Sequence, residues 1–205
     1  MLELRIRAPE VFDLDGVTGL AVTSARVADV LKMHQQFRDL AELPVFVVGD
    51  RTCVAMTAAG FGNVVSAGGD VSALVELIAE EQPDGRLLYP CARDRAGNLE
   101  GHLEAHGIDA IPVVVYEMEP VGQLPDEVLQ SLRSHTIDTV LIYSERTADA
   151  FLNALTKTGD AGLLKNLAVV AISPQAAKPL AGYTSAKIAV HPNEKALMER
   201  ILSPC

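Results

Sequence analysis

The chain reads as an α/β protein in which parallel strands alternate with crossover helices, arranged as two related halves. Three observations predict this. Short runs rich in Val and Ile alternate with stretches of helical period, the pattern of parallel strands joined by helices. The order of elements recurs over about sixty residues in each half, the mark of an internal repeat. Two extended segments lie just outside the first copy and connect the halves.

The opening LELRIRA alternates apolar and polar residues and predicts a strand over 2–7. Strands follow at 19–22, 45–48, 63–66, 86–89 and 110–117, and a second set at 139–143, 167–172 and 187–190. Helices fill the gaps at 25–36, 51–59, 71–80, 97–106, 127–134, 146–155, 175–180 and 194–202.

The repeat has landmarks. GLAVTSARVADVL (19–31) reads against TVLIYSERTADAF (139–151), with Ser24 and Ser144 each ending a strand and starting a helix. Residues 44–78 read against 167–201 as strand, helix, a Gly that stops the helix (Gly60, Gly182), strand, and a last helix holding Ala73-Leu74 or Ala196-Leu197. Chance alternation supplies the order but seldom the landmarks, so a duplication is expected. LELRIRA and 113–118 can pair as a ladder between the domains. The expected layout is a linker strand at 1–9, a first α/β domain at 10–112, a return strand at 113–120 and a second domain at 121–205, with the ligand site in the cleft between them.

Composition narrows the partners. The 205 residues hold 17 Lys and Arg against 27 Asp and Glu, a net charge of −10, which argues against a nucleic acid or an anionic membrane surface. An anionic small molecule stays compatible, because backbone N–H groups at helix N-termini bind carboxylates without net positive charge. Trp is absent, which disfavours base stacking. Cys53, Cys91 and Cys205 are odd in number and show no C-x-x-C spacing, so a reducing compartment is inferred. With no apolar leader in MLELRIRAPE and no run of about 20 apolar residues, the expected location is cytoplasmic.

Other chemistries find no support. His34, His102, His106, His135 and His191 are scattered, and the i, i+4 pair His102 and His106 has no third ligand, so no metal site is expected. Ala67-Gly68-Gly69-Asp70 reads as an ordinary loop, and neither a phosphate-binding Gly loop nor a G-x-S-x-G turn occurs. Cys91 follows a strand with no His beside it and reads as a structural thiol.

A set of weak motifs in one order is more specific. Thr23-Ser24 follow a strand; Val48, Gly49 and Thr52 form a V-G-x-x-T turn; 87–90 read L-x-Y-P before an amphipathic helix and Gly107; Val115-Tyr116-Glu117 lie on the return strand; Ser144 and the strand-Pro-helix turn at 172–175 lie in the second copy. Together these residues resemble uroporphyrinogen-III synthase, the cofactor-free enzyme of tetrapyrrole biosynthesis. The resemblance implies two flavodoxin-like parallel-sheet domains joined by a two-stranded linker, no cofactor, and a linear polycarboxylate tetrapyrrole as substrate. It implies closure of hydroxymethylbilane with inversion of ring D and loss of water. Two departures stand out. The family's G-P-T-T turn is Ser173-Pro174-Gln175-Ala176 here, and the strand and helix with which family members begin are missing. The second copy likewise has no counterpart of 86–112, so the second domain is expected to be incomplete, through a missed upstream start or degeneration. A monomer is expected, with an exposed sheet edge as a route to association.

The resemblance makes Tyr116 the catalytic candidate, its phenol donating a hydrogen bond to the leaving hydroxyl; the bland reading is a ring packed on the linker with its OH in water. Thr23, Ser24, Thr52 and Ser144 occupy strand-to-helix turns, where a hydroxyl either caps the helix or binds a carboxylate. Gly49, Pro174 and Gln175 complete the turns. Arg93 could pair with a carboxylate or be solvated. Two other readings stay open: a non-catalytic tetrapyrrole-binding relative, and an unrelated bilobal small-molecule binder.

Overall fold

The computed structural model describes residues 1–81, 83–95 and 97–202, so Cys205 lies outside the described residues. In chain order the elements are β1 (Leu2–Ile6), β2 (Val17–Val22), α1 (Arg26–Lys32), α2 (Phe37–Ala41), β3 (Val45–Val47), α3 (Asp50–Ala59), β4 (Val64–Ser66), α4 (Val71–Glu81) and β5 (Arg86–Ala92). There follow α5 (Leu99–Glu104), β6 (Ala110–Pro120), α6 (Asp126–Arg133), β7 (Thr139–Ile142), α7 (Glu145–Lys157), β8 (Ala168–Ala171), α8 (Pro174–Ala177), β9 (Ala186–Ile188) and α9 (Glu194–Leu202). The chain divides into two compact units, Leu4–Met118 and a smaller one made of Met1–Glu3 with the chain from Glu119 onward.

In the larger unit a six-stranded sheet runs β1-β6-β5-β2-β3-β4, and β2 through β6 are parallel. Strand alternation sorts the side chains onto two faces. Leu20, Val22, Val45 and Val47 pack with Val27 and Leu31 of α1 and Met56 of α3. Ala21, Phe46, Leu87 and Tyr89 pack with Leu74 and Ile78 of α4 and Leu103 of α5. The sheet is therefore covered on both faces, which is why its strands read as near-continuous apolar runs.

Counted in chain order from β2, the five parallel strands lie as 3-2-1-4-5, which corrects the flavodoxin-like order 2-1-3-4-5. Starting the count at β5 and returning to β2 restores that order, so the sheet is a circular permutation of it. Crossover helices can carry the chain to either side of a strand, and one-dimensional periodicity does not record which. The lateral order reverses between β2 and β5.

β1 lies beside β6. Arg7 N donates to Val115 O and Val121 N to Met1 O, so the two strands run antiparallel. Most of both linker strands belongs to the larger unit, because β6 pairs with β5 from Leu87↔Ala110 onward.

The smaller unit carries a three-stranded parallel sheet, β7-β8-β9, among its described residues. Ile142, Val169 and Ala171 pack with Phe151 and Leu155 of α7 and Leu129 and Leu132 of α6, while Val170 packs with Ala196 and Leu197 of α9 on the other face. The element order β2-α1, β3-α3, β4-α4 recurs as β7-α7, β8-α8, β9-α9. The Gly landmarks are not equivalent: Gly60 caps α3 with a left-handed φ of 112°, whereas Gly182 is in a turn after a 3-10 segment at Lys178–Leu180 and lacks a positive φ.

Two predicted elements change. The helix at 25–36 ends at Lys32 and a separate α2 follows, because the turn between them is tied elsewhere: a His34 ring nitrogen contacts Pro9 O at 2.8 Å, and the Gln36 amide side chain bonds both backbone groups of Phe12. The strand at 86–89 continues through Pro90 to Ala92. Pairing of β5 with β2 stops at Leu88, so beyond it the strand has a neighbour on one side only and a missing proline N–H is tolerated.

Candidate functional site

Thr23 and Ser24 leave the C-terminal end of β2 where the strand order reverses, the position at which open parallel sheets bind ligands. Alternation carries one step past the strand and aims the two hydroxyls at opposite faces. Thr23 Oγ1 is 3.2 Å from the Tyr89 OH on the α4/α5 face. On the α1/α3 face the Tyr116 OH donates to Ser24 Oγ at 3.0 Å. Two phenols thus hold two consecutive hydroxyls.

Tyr116 is aimed by a β-bulge. Cys91 pairs with Val114 but Ala92 pairs with Tyr116, so Val115 is an extra residue on β6. Val115 and Tyr116 then bury into the same core, against strict alternation. Tyr116 is 4% exposed and its hydroxyl is bonded to Ser24, against the reading of a hydroxyl standing in water. With the phenol proton committed to Ser24, the group free to donate outward is the serine hydroxyl.

Tyr89 is equally buried. Burial pushes its phenol above the ordinary value, against the opposing hydrogen bond with Thr23 and the Arg95 charge. The Arg95 guanidinium lies 5.6 Å from the Tyr89 ring centroid and is anchored to both oxygens of Glu100, at 2.8 and 2.9 Å. Cys91 is buried beside them with Sγ 3.5 Å from Val113 O, and burial pushes its thiol up, the environment of a structural cysteine.

Arg93 is neither solvated alone nor poised on an empty surface. Its amide donates to Tyr116 O at 2.9 Å, and its guanidinium meets Glu117 at 2.5 Å. Glu117 is 5% exposed and also binds the Arg7 guanidinium, with Nε donating to Oε1 at 2.5 Å. One buried carboxylate therefore fixes two arginines beside Tyr116.

Gly49 is the N-cap of α3 in extended backbone, and its carbonyl accepts from the amides of Thr52 and Cys53. Thr52 is buried inside the first turn of that helix, so its hydroxyl is not a cap. The remaining candidates lie in the smaller unit. Ser144 caps α7 in a reciprocal capping box with Thr147. Ser173 caps α8, Pro174 occupies its first turn, and Gln175 Nε2 donates to Glu145 Oε2 at 2.5 Å. Ser144→Ala is expected to lower stability by about 1 kcal/mol through loss of the cap, read as a lower urea midpoint at unchanged slope.

The structure thus brings Thr23, Ser24, Tyr116 and Arg93 together in the larger unit, while Ser144, Pro174 and Gln175 belong to the smaller one. Sequence reasoning missed Tyr89, Arg95 and Glu117 as members of the site. Tyr89 and Glu117 were visible only as letters of motifs, and no spacing rule connects residue 89 with residue 23. The exposed His102 and His106 do not converge, since a His106 ring nitrogen contacts the His102 carbonyl at 2.9 Å. Among the described residues no group of three or more His, Cys, Asp or Glu could hold a metal ion, and no helix is long and apolar enough to cross a membrane.

The model of the family described as uroporphyrinogen-III synthase HemD matches residues 3–199. The chain belongs to the uroporphyrinogen-III synthase family. It is thereby an enzyme of tetrapyrrole biosynthesis. Among solved structures, uroporphyrinogen-III synthetase from Helicobacter pylori 26695 is similar, with a TM-score of 0.68 and 22% identity over 98% of this chain and 89% of that one. This likeness shows a shared mixed α/β fold with parallel sheets. The wild-type uroporphyrinogen III synthase of the extremely thermophilic bacterium Thermus thermophilus gives a TM-score of 0.44 and 15% identity over 91% of this chain and 80% of that one. No curated protein sequence matches significantly. In this synthase-family chain the residues carrying the resemblance fall in both units, with the phenol-held hydroxyls in the larger.

Proposed function

We propose that the chain closes hydroxymethylbilane to uroporphyrinogen III, inverting ring D and releasing water. The observation that carries this reading is the Tyr116–Ser24 hydrogen bond at the reversal point of the sheet, in a chain of this family. The ring A carbon–oxygen bond breaks, and the departing oxygen takes a proton to leave as water. The electron-deficient carbon left on ring A is attacked by the substituted carbon of ring D, giving a spiro intermediate whose rearrangement inverts that ring. Folding the linear substrate so that this carbon, rather than the free one, reaches ring A is a task of positioning. In this scheme the Ser24 hydroxyl faces the leaving oxygen, and Tyr116 supports its donation from behind. Tyr116 then acts through Ser24, a change from direct contact with the substrate.

Carboxylates of the substrate would be bound by Thr23 and by backbone amides at the Gly49 turn. Arg93, held by Glu117, would contribute a fixed charge. The alternative, a tetrapyrrole-binding relative without turnover, is favoured by one observation: Gln175 is engaged with Glu145 in the turn where the family carries hydroxyls. Incubation of the purified chain with hydroxymethylbilane, followed by oxidation and separation of isomers, decides between them. The synthase reading expects isomer III in large excess. Product at the spontaneous isomer I ratio would overturn it in favour of the binding relative.

A further inference from the structure

The pairing of Tyr89 with Thr23 repeats, from the other face of the sheet, the pairing of Tyr116 with Ser24. A phenol is a far stronger acid than an alcohol, so when the two share one hydrogen bond the phenol is the better donor and the threonine oxygen the better acceptor. Tyr89 is 4% exposed, and Thr23 is its hydrogen-bond partner at the sheet's reversal point. Its ring is fixed under the Arg95 guanidinium, which Glu100 anchors at two points. Tyr89 therefore has little freedom to turn away, whereas Thr23 is only half-buried. If Tyr89 donates, the Thr23 hydroxyl keeps its own proton for a partner outside the fold. The adjacent Ser24 is in the same condition.

We infer that Tyr89 is a positioning residue that turns the Thr23 hydroxyl into an outward hydrogen-bond donor for a carboxylate oxygen of the ligand, on the sheet face opposite the Ser24 hydroxyl. Tyr89 does not touch the ligand. The Arg95–Glu100 pair acts one step further back by holding the ring. The inference deepens the proposed function and rests on it for the identity of the ligand, while the donor geometry stands on the phenol–hydroxyl pairs.

The test uses Tyr89→Phe, Thr23→Val and the double variant in the full chain, with two readouts. One is the Kd for uroporphyrin III, a polycarboxylate probe, by fluorescence titration; the other is isomer III formation from hydroxymethylbilane. Tyr89→Phe is expected to weaken probe binding about three- to tenfold, the range for one hydrogen bond, and to raise KM more than it lowers kcat. The same substitution in the Thr23→Val background is expected to change nothing further, because its route to the ligand is gone. Unchanged probe binding by Tyr89→Phe, or an equal loss in the Thr23→Val background, would overturn the inference, the second outcome pointing to a merely structural tyrosine. Thermal unfolding of each variant separates loss of fold from loss of binding. The wild-type isomer assay judges the proposed reaction separately: a wild type that makes no excess isomer III yet shows the Tyr89-dependent probe binding would overturn the reaction and support the inference.

Discussion

Tyr116→Phe is expected to reduce the rate of uroporphyrinogen III formation about a hundredfold, at the lower end of what a positioned proton donor contributes. The substitution keeps the ring, which belongs to the core with Val115 and Leu88, so packing is preserved and the fold should survive. What disappears is the 3.0 Å donation to Ser24 Oγ. Among the described residues the serine oxygen then keeps the distant Arg26 amide at 3.4 Å as its donor, and its own proton is no longer directed outward. Because hydroxymethylbilane also closes without enzyme, the slower variant should yield a larger fraction of isomer I. Rate and isomer ratio therefore move together. A Tyr116→Phe chain with full rate and unchanged isomer ratio would remove the phenol from the mechanism. Ser24→Ala, which deletes the group proposed to face the leaving oxygen, should fall at least as far.

Phe61→Ala is expected to destabilise the larger unit by about 3–5 kcal/mol, the cost of emptying a fully buried aromatic site. Phe61 is 1% exposed and meets Phe37 edge-on, with centroids 5.5 Å apart at 87°. Its amide bonds back to Met56 O just after Gly60 takes the left-handed turn that ends α3. The surrounding side chains hang from α1, α2 and α3, so no single one can collapse into the space. Hydrogen exchange at the amides of Leu20, Val22 and Val45, in the strands beneath, should accelerate in proportion to the lost stability. Protection unchanged within about 1 kcal/mol would mean the cavity refills, and that the ring pair carries little of the unit's stability.

Much of the architecture was legible because it depends on local periodicity. The nine strands of the described chain all fall within or across the expected positions, since runs such as 45–47 and 169–171 are buried on both faces and admit few polar residues. The boundaries that moved did so for non-local reasons. Pro90 stays in a strand because β2 has already ended beside it. The helix expected at 25–36 breaks because His34 and Gln36 bind the chain at Pro9 and Phe12. The candidate site was legible in part. Thr23, Ser24 and Tyr116 were visible as turn hydroxyls and a strand phenol, and Ser144 as a helix cap. Nothing in a spacing could show that residue 116 bonds residue 24, that residue 89 bonds residue 23, or that Glu117 holds both Arg7 and Arg93.

By itself the sequence determined the α/β class, the order of elements in each half and the motif set that places the chain among uroporphyrinogen-III synthases. These follow from residue periodicity and from turn residues, which act within a few positions along the chain. Only the tertiary structure decided the lateral strand order, the bulge at Val115 and the phenols that hydrogen-bond the Thr23-Ser24 turn. Each depends on which strands become neighbours, a choice made by packing of both sheet faces at once. At that turn two buried tyrosines hydrogen-bond two consecutive hydroxyls, a pairing that only the packing of both sheet faces brings about.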